Sequence, residues 1–365
     1  MAAAAEIQSE DRFAAWPRGR ARLGLLALVL LLLAAVLTPV TKGAQRDAEK
    51  HEFGEMKRAP TRSADLAVYD HAAERIAKGE NYYAFIAEEH RAVNYPLRPG
   101  VAVRLPTLAY LNAWLGPTGS RIAALALLAA VLAVWWRRLG ESALWRRWRH
   151  FACALLFAGC SLGLTDEYLV LHEMWTGLLL ALAFGLHRPG RWGGALLAAG
   201  LALAIREHAL PFVLLMGAMA LWRRDWKEAA AWGLLVALFF AGLAWHMAQV
   251  AALLRPDDPV SLSWWAFRGL SGWTSNVVLS GVLRYLPKAL AAALVVLMVA
   301  GWAGWKSPAG AFGTLLFLGY GVMFMIVGRV DNFYWGAVIA PAMFMGLVFA
   351  PRAVVSLTRA AFPRS

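Results

Sequence analysis

The residues with chemical potential in this 365-residue chain sit beside long apolar runs. Asp65 and Asp70 follow the first run. Asp166, Glu167, His172 and Glu173 stand where another begins. Arg206, Glu207 and His208 fill a very tight connection between two more, and Arg329 and Asp331 precede the last. Ionisable groups are costly next to lipid, so those that persist there are the first candidates for function. A carboxylate in such a place can act as a general base or hold a divalent cation such as Mg or Mn. An arginine can grip phosphate through its planar fork. Converging from separate connections, these groups meet the minimum requirement for a site that handles an anionic, membrane-borne substrate. Each also has a plainer role open to it. Asp70 on an exposed helix face would simply be solvated. Asp166 and Glu167 would stop a helix at the interface. Arg206–Glu207 and Arg329–Asp331 would be ion pairs holding turns. Glu173 is the hardest to dismiss, because Leu171, Met174 and Trp175 place it inside apolar sequence.

The elements that must position these groups follow from composition. Hydrophobic residues make up 60% of the chain and charged residues 16%, against roughly 25% charged in soluble domains. Mean hydropathy is +0.52. A bilayer hides that much apolar surface and a soluble fold of this length does not. The expected fold class is all-α: a polytopic transmembrane helical bundle of about ten spans, at 23–42, 119–136, 151–164, 168–186, 193–206, 208–222, 229–250, 288–305, 311–328 and 334–350. Several are shorter than the roughly 20 residues of an ideal span.

The net charge of +13 reads as topology, not as a nucleic-acid surface. Arg137, Arg138, Arg146, Arg147 and Arg149 crowd one connection. Arg188 and Arg191, then Arg223, Arg224 and Lys227, then Lys306, then Arg352, Arg359 and Arg364 follow alternate spans. All fall on one side together with the basic segment 1–22, so both ends are expected in the cytoplasm and the chain in the plasma (inner) membrane. The run from Leu23 to Val40 is long for a signal-peptide core and reads as an uncleaved anchor. Residues 351–365 form the cytoplasmic tail. Cys153 and Cys160 lie seven positions apart on one expected helix, roughly 10 Å between Cα atoms and too far for a disulfide.

Two long connections fall outside. The first, 43–118, belongs with the transmembrane domain 23–350 and carries surface helices. In Ala64–Lys78 the residues Leu66, Tyr69, Ala73, Ile76 and Ala77 share a face, and Gly79 ends the helix. Pro106–Leu115 reads as a second short helix lying at the membrane surface, bounded by Pro117. The other, 251–287, contains Trp264, Trp265 and Trp273, which suit the interface.

The run Asp65-Leu-Ala-Val-Tyr69, then Ala72-Ala73, then Lys78-Gly79-Glu80-Asn81-Tyr82-Tyr83 resembles the first outside loop of GT-C membrane glycosyltransferases. Polyprenyl-phosphate-sugar-dependent mannosyltransferases are the nearest of these. Tyr95-Pro96 and Arg104-Leu-Pro106 resemble the stretch before the second span in that family. The resemblance implies transfer of a sugar from a polyprenyl-phosphate donor to a glycan, lipid or protein acceptor at the outer face. It implies Asp65 as general base, with Asp166 or Glu167 as a second acid. Arg206 and Arg329 would meet the donor phosphate. Tyr69, Arg104, Glu173, Glu207 and Asp331 complete the substrate side, while Tyr82 and Tyr83 anchor the loop. Two other readings stand beside it. A transporter would carry ionisable groups at mid-bilayer depth with helices broken in two-fold correspondence. A non-catalytic membrane protein could keep the same fold.

Overall fold

The computed structural model describes residues 10–41, 64–160, 165 and 168–363. Those residues form no β-strand, and the architecture is all-helical. Four helical stretches, Arg18–Leu37, Gly100–Gly140, Trp226–Ala251 and Pro308–Ile326, are long and apolar enough to cross a membrane. Shorter apolar helices of 10–17 residues pack among them. The chain is therefore a membrane-embedded helical protein.

The first helix, α1 (Arg18–Leu37), follows Pro17, whose extended backbone prepares the first turn. Only Ala21, Leu28 and Ala35 are buried on it, seven residues apart. In lipid no hydrophobic force draws helices together, so close van der Waals contact between small residues must do so. Two short helices, α2 (Ala64–Ala77) and α3 (Tyr82–Ala92), come next. On α2 the buried face is Leu66, Val68, Tyr69, Ala72 and Ile76, while Ala77 is exposed. Gly79 takes φ +91 just past its end, as expected of a helix-terminating glycine. The Asn81 side chain accepts from Tyr83 N at 3.0 Å and starts α3. Arg75 ties the two helices by pairing with Glu80, Glu88 and Glu89.

The expected surface helix near 106–115 does not stand alone. It runs into the next span as α4 (Thr107–Gly140), kinked at Gly116 with φ +66 and ψ 176. Pro117 disfavours helical backbone in the residue before it, and only glycine takes that dihedral without strain. Then follow α5 (Arg149–Gly159), α6 (His172–Leu186), α7 (Gly193–Ile205), α8 (Leu210–Trp222) and α9 (Trp226–Ala251). Next come α10 (Gly269–Leu279), α11 (Lys288–Gly304) and α12 (Pro308–Ile326).

The end of the chain departs from expectation. In place of one span over 334–350 there are a 3-10 segment, Val330–Val338, a short α13 (Ala340–Met343), and α14 (Gly346–Ala361). A Cβ at Gly336 would collide with the Asn276 carbonyl oxygen, and one at Gly177 with the Ala337 carbonyl oxygen. The 330–338 backbone is thus wedged between α10 and α6. The helix α10 was expected within an outside loop, yet Gly272 to Leu279 are all buried. Trp273 is in the core, not at the interface, and is 4% exposed.

The two ends of the bundle differ in kind. At one, Asp11 takes Arg352 at 3.0 Å and Ser356 Oγ at 2.5 Å, and Glu10 accepts from Ser142 Oγ and Ala143 N. Arg12 N donates to Gly304 O. The segments around 10–13, 142, 305 and 352–356 therefore share one end, the end to which the basic connections belong. At the other, α2 and α3 form a cap. Arg91 grips Asp258 in bidentate fashion at 2.6 and 3.1 Å, and His90 Nδ1 lies 2.9 Å from Pro96 O.

Burial pushes the His90 imidazole down to about 4, and the Arg91 guanidinium holds the Asp258 carboxylate below its usual range. Both groups bind fewer protons folded than unfolded, so the cap weakens as pH falls. The His90 contribution, about 3 kcal/mol, is present above pH 6.5 and lost between there and 4. The Asp258 contribution is lost lower still. Amide exchange over 82–98, corrected for intrinsic rates, is expected to rise steeply from pH 6.5 to 4 and to flatten in a His90→Gln variant. Equal pH dependence in both proteins would refute this.

Candidate functional site

Beneath the cap the structure gathers charge. Glu173 lies in the first turn of α6, a helix of which 13 residues are buried. Its carboxylate there also faces the positive end of the helix dipole. Arg206 ends α7 in extended backbone, φ −150, and α8 starts four residues later with Pro211 in its first turn. That tight connection turns the Arg206 side chain inward, where it is 1% exposed. Its Nε lies 2.9 Å from Glu173 Oε1 and its Nη1 lies 2.6 Å from Glu207 Oε1. His208 Nδ1 lies 3.2 Å from the same Glu207 oxygen. The His208 ring packs on Trp335 at 4.4 Å, and Tyr320 Oη donates to His208 O at 2.5 Å.

The contacts are close but poorly aimed. Among the described residues, Arg206 Nε, Nη1 and Nη2, Glu173 Oε1, His208 Nδ1 and His172 Nδ1 have no well-directed hydrogen bond. Buried polar groups ordinarily find one, so this cluster has donor capacity in reserve. It is formally balanced by Arg206 and Arg104 against Glu173 and Glu207.

Tyr69 reaches the cluster from α2, with its ring 4.8 Å from that of His172. Arg104 Nε donates to Tyr69 Oη at 3.1 Å, and Arg104 O accepts from Tyr82 Oη at 2.8 Å. These side chains line a narrow cleft between α2, α3 and the start of α4. Tyr69, Arg104, His172 and Asn112 form its polar part, and Ile86 and Leu108 are among its apolar walls.

The sequence candidates therefore divide. Tyr69, Arg104, Glu173, Arg206 and Glu207 come together. Arg329 and Asp331 pair with each other at 2.9 Å, and Arg329 also donates to Ser261 Oγ at 3.1 Å. That pair holds a loop. Asp65 opens α2 one turn before Tyr69, but its side chain lies outside the described residues, as do Asp166 and Glu167 entirely. Trp335, Asn112 and Tyr320 were not singled out in the sequence. Each lies in an apolar or mixed run with no local signal, and only the tertiary fold brings it in. The described residues do not fit a divalent cation. Glu173 and Glu207 have Arg206 between them, and no three ligand-bearing side chains converge among the described residues.

Fold and site together define a membrane-embedded helical protein with a charged cluster buried at one end of its bundle. No family model, curated protein or solved structure matches this chain.

Removing one partner of a buried ion pair strands the other charge, at about 3–5 kcal/mol. Glu173→Gln is expected to destabilise the protein on that scale, and Glu173→Gln with Arg206→Met to cost much less than the two separate losses added. Thermal or denaturant unfolding of the four proteins in a double-mutant cycle measures the coupling. A coupling below about 0.5 kcal/mol would mean that the two residues act independently.

Proposed function

We propose that the chain is a GT-C-like glycosyltransferase. It moves a sugar from a polyprenyl-phosphate donor to an acceptor hydroxyl at the outer face of the plasma membrane. About ten spans, cytoplasmic termini and an outside cap over 43–118 complete this reading. The observation that carries it is the cleft under α2 and α3. There the Arg104 guanidinium, bonded to Tyr69 Oη, stands beside His172 among apolar walls. The cleft holds only about 10 Å³, room for about one water, so on this reading α2 and α3 move apart to admit the donor, whose anionic headgroup and hydrocarbon chain need that pairing of a cation with apolar surface.

In the reaction, a base takes the proton of the acceptor hydroxyl as its oxygen attacks the anomeric carbon. The bond from that carbon to the phosphate oxygen breaks, and the electron pair leaves with the phosphate. Asp65, four positions before Tyr69 on α2, is assigned as the base. Arg104 stabilises the charge that grows on the departing phosphate. Arg206, neutralised between Glu173 and Glu207, keeps α6, α7 and α8 in register around the cleft.

Sugar transfer from polyprenyl-phosphate hexoses, assayed in membranes, tests the assignment. Asp65→Asn is expected to lower the rate by about 10²–10⁴. Arg104→Gln is expected to lower it by about 10²–10³, and Arg104→Lys by less, because charge survives although the fork does not. Full activity in Asp65→Asn would remove Asp65 as the base. Absence of transfer by the unaltered protein from every such donor would sink the reading.

A further inference from the structure

Away from the cluster, at the end of the bundle where residues 10–13 meet 352–356, α4 and α5 leave an open groove. Leu132, Ala133 and Trp136 wall it from α4, and Cys153, Ala154 and Phe157 wall it from α5. It is a shallow, wide-open depression of about 390 Å³ on the outer surface of the two helices. The two alanines open the space, and Trp136 and Phe157, 40% and 45% exposed, form its sides.

An apolar groove on a membrane helix would be covered by any lipid tail. The charge at its mouth narrows the choice. The Arg149 guanidinium lies over the Trp136 ring, 4.1 Å from its centroid. It fits there because Gly140 has no side chain, and a Cβ at that position would approach Arg149 Nη1 to 3.2 Å. Arg137 follows Trp136 in sequence and is exposed, as are Arg146 and Arg147. Among the described residues none of these four arginines pairs with a carboxylate. The acids close by are already engaged, Glu141 by Arg188 and Glu10 by Ser142, Ala143 N and Trp305 Nε1. Arg138 points inward instead, onto the Phe184, Gly185 and His187 carbonyls, where it caps α6. Uncompensated positive charge thus crowns an apolar groove, with Trp136 and Trp148 both partly exposed nearby.

We propose that the groove between α4 and α5 is a specific site for an anionic phospholipid. One acyl chain lies against Trp136, Ala154 and Phe157, and the phosphate is held by Arg149 and Arg137. Basic pockets between transmembrane helices recognise acidic headgroups through this combination. The proposal is independent of the activity assigned to the opposite end.

Native mass spectrometry of the detergent-solubilised full chain, titrated with phosphatidylglycerol or phosphatidylcholine, tests it. The unaltered protein is expected to retain one phosphatidylglycerol in preference to phosphatidylcholine. Arg137→Gln and Arg149→Gln are each expected to reduce that retention about fivefold, and Arg149→Lys to preserve most of it. Ala154→Trp fills the groove without changing charge and is expected to abolish the preference. Should that variant fail to fold, the two surface glutamine variants decide alone, with melting temperature as the check on folding. Equal retention of both lipids would overturn the proposal, as would undiminished phosphatidylglycerol binding in the Arg137→Gln/Arg149→Gln double variant. Equally strong binding of glycerol phosphate, which has no chains, would also overturn it by showing a site for free anions.

Discussion

A buried arginine between two glutamates is the constraint around which this bundle is arranged. Arg206 is almost wholly withdrawn from solvent, and the chain around it is among the most apolar in the protein. A charge there is tolerable only if its counter-charges arrive from fixed directions. Glu173 comes from α6 and Glu207 from the turn into α8, so one side chain locks three helices. The rest of the site inherits its geometry from that lock. His172 stands beside Glu173 and receives the Tyr69 ring. Tyr69 in turn holds Arg104, whose carbonyl receives Tyr82 from the cap. A polar chain of contacts runs from the bundle interior into the buried side of the cap.

The other end of the bundle is built by different means. There the polar groups meet near segment ends and not inside an apolar core. Asp11 joins α14, Glu10 joins the connection after α4, and Glu228, fully buried at the start of α9, binds His187 at 2.7 Å and Arg223 at 2.7 Å. Each contact ties two connections together without closing on a cleft. One end is thus stapled along its rim, and the other is organised around a centre with donors in reserve.

Much of the helical layout was legible from the sequence because its signals are local. Runs of apolar residues locate α1, α7, α8, α9, α11 and α12 within a few residues. The amphipathic spacing of Leu66, Tyr69 and Ile76 found α2, and Gly79 marked its end. What failed depends on contacts distant in sequence. The helix α10 carries Ser271, Thr274, Ser275 and Asn276 and looks like a polar loop, yet Asn276 is fully buried beneath Gly336. The last run is apolar enough for one span. It breaks because Gly336 and Gly346 bring its backbone directly onto α10 and α11, and periodicity holds no trace of that. In the site, Glu173 and the Arg206–Glu207 pair were visible as charges where charge is costly. Trp335 and Tyr320 were not, since an aromatic residue in an apolar run looks the same whether it faces lipid or a histidine.

The narrow seam on α1 bears on how the protein is made. Ala21, Leu28 and Ala35 meet Ala292 and Val296 of α11 and Ala353 and Leu357 of α14, segments that leave the ribosome roughly 270 to 330 residues later. Leu23, Leu26 and Leu30 on its other sides are more than half exposed. Those contacts can form only after α11 and α14 have been threaded into the bilayer. Such long-range docking is the slow kind. Interruption before α11 and α14 are made would therefore leave this face of α1 without the helices it packs against.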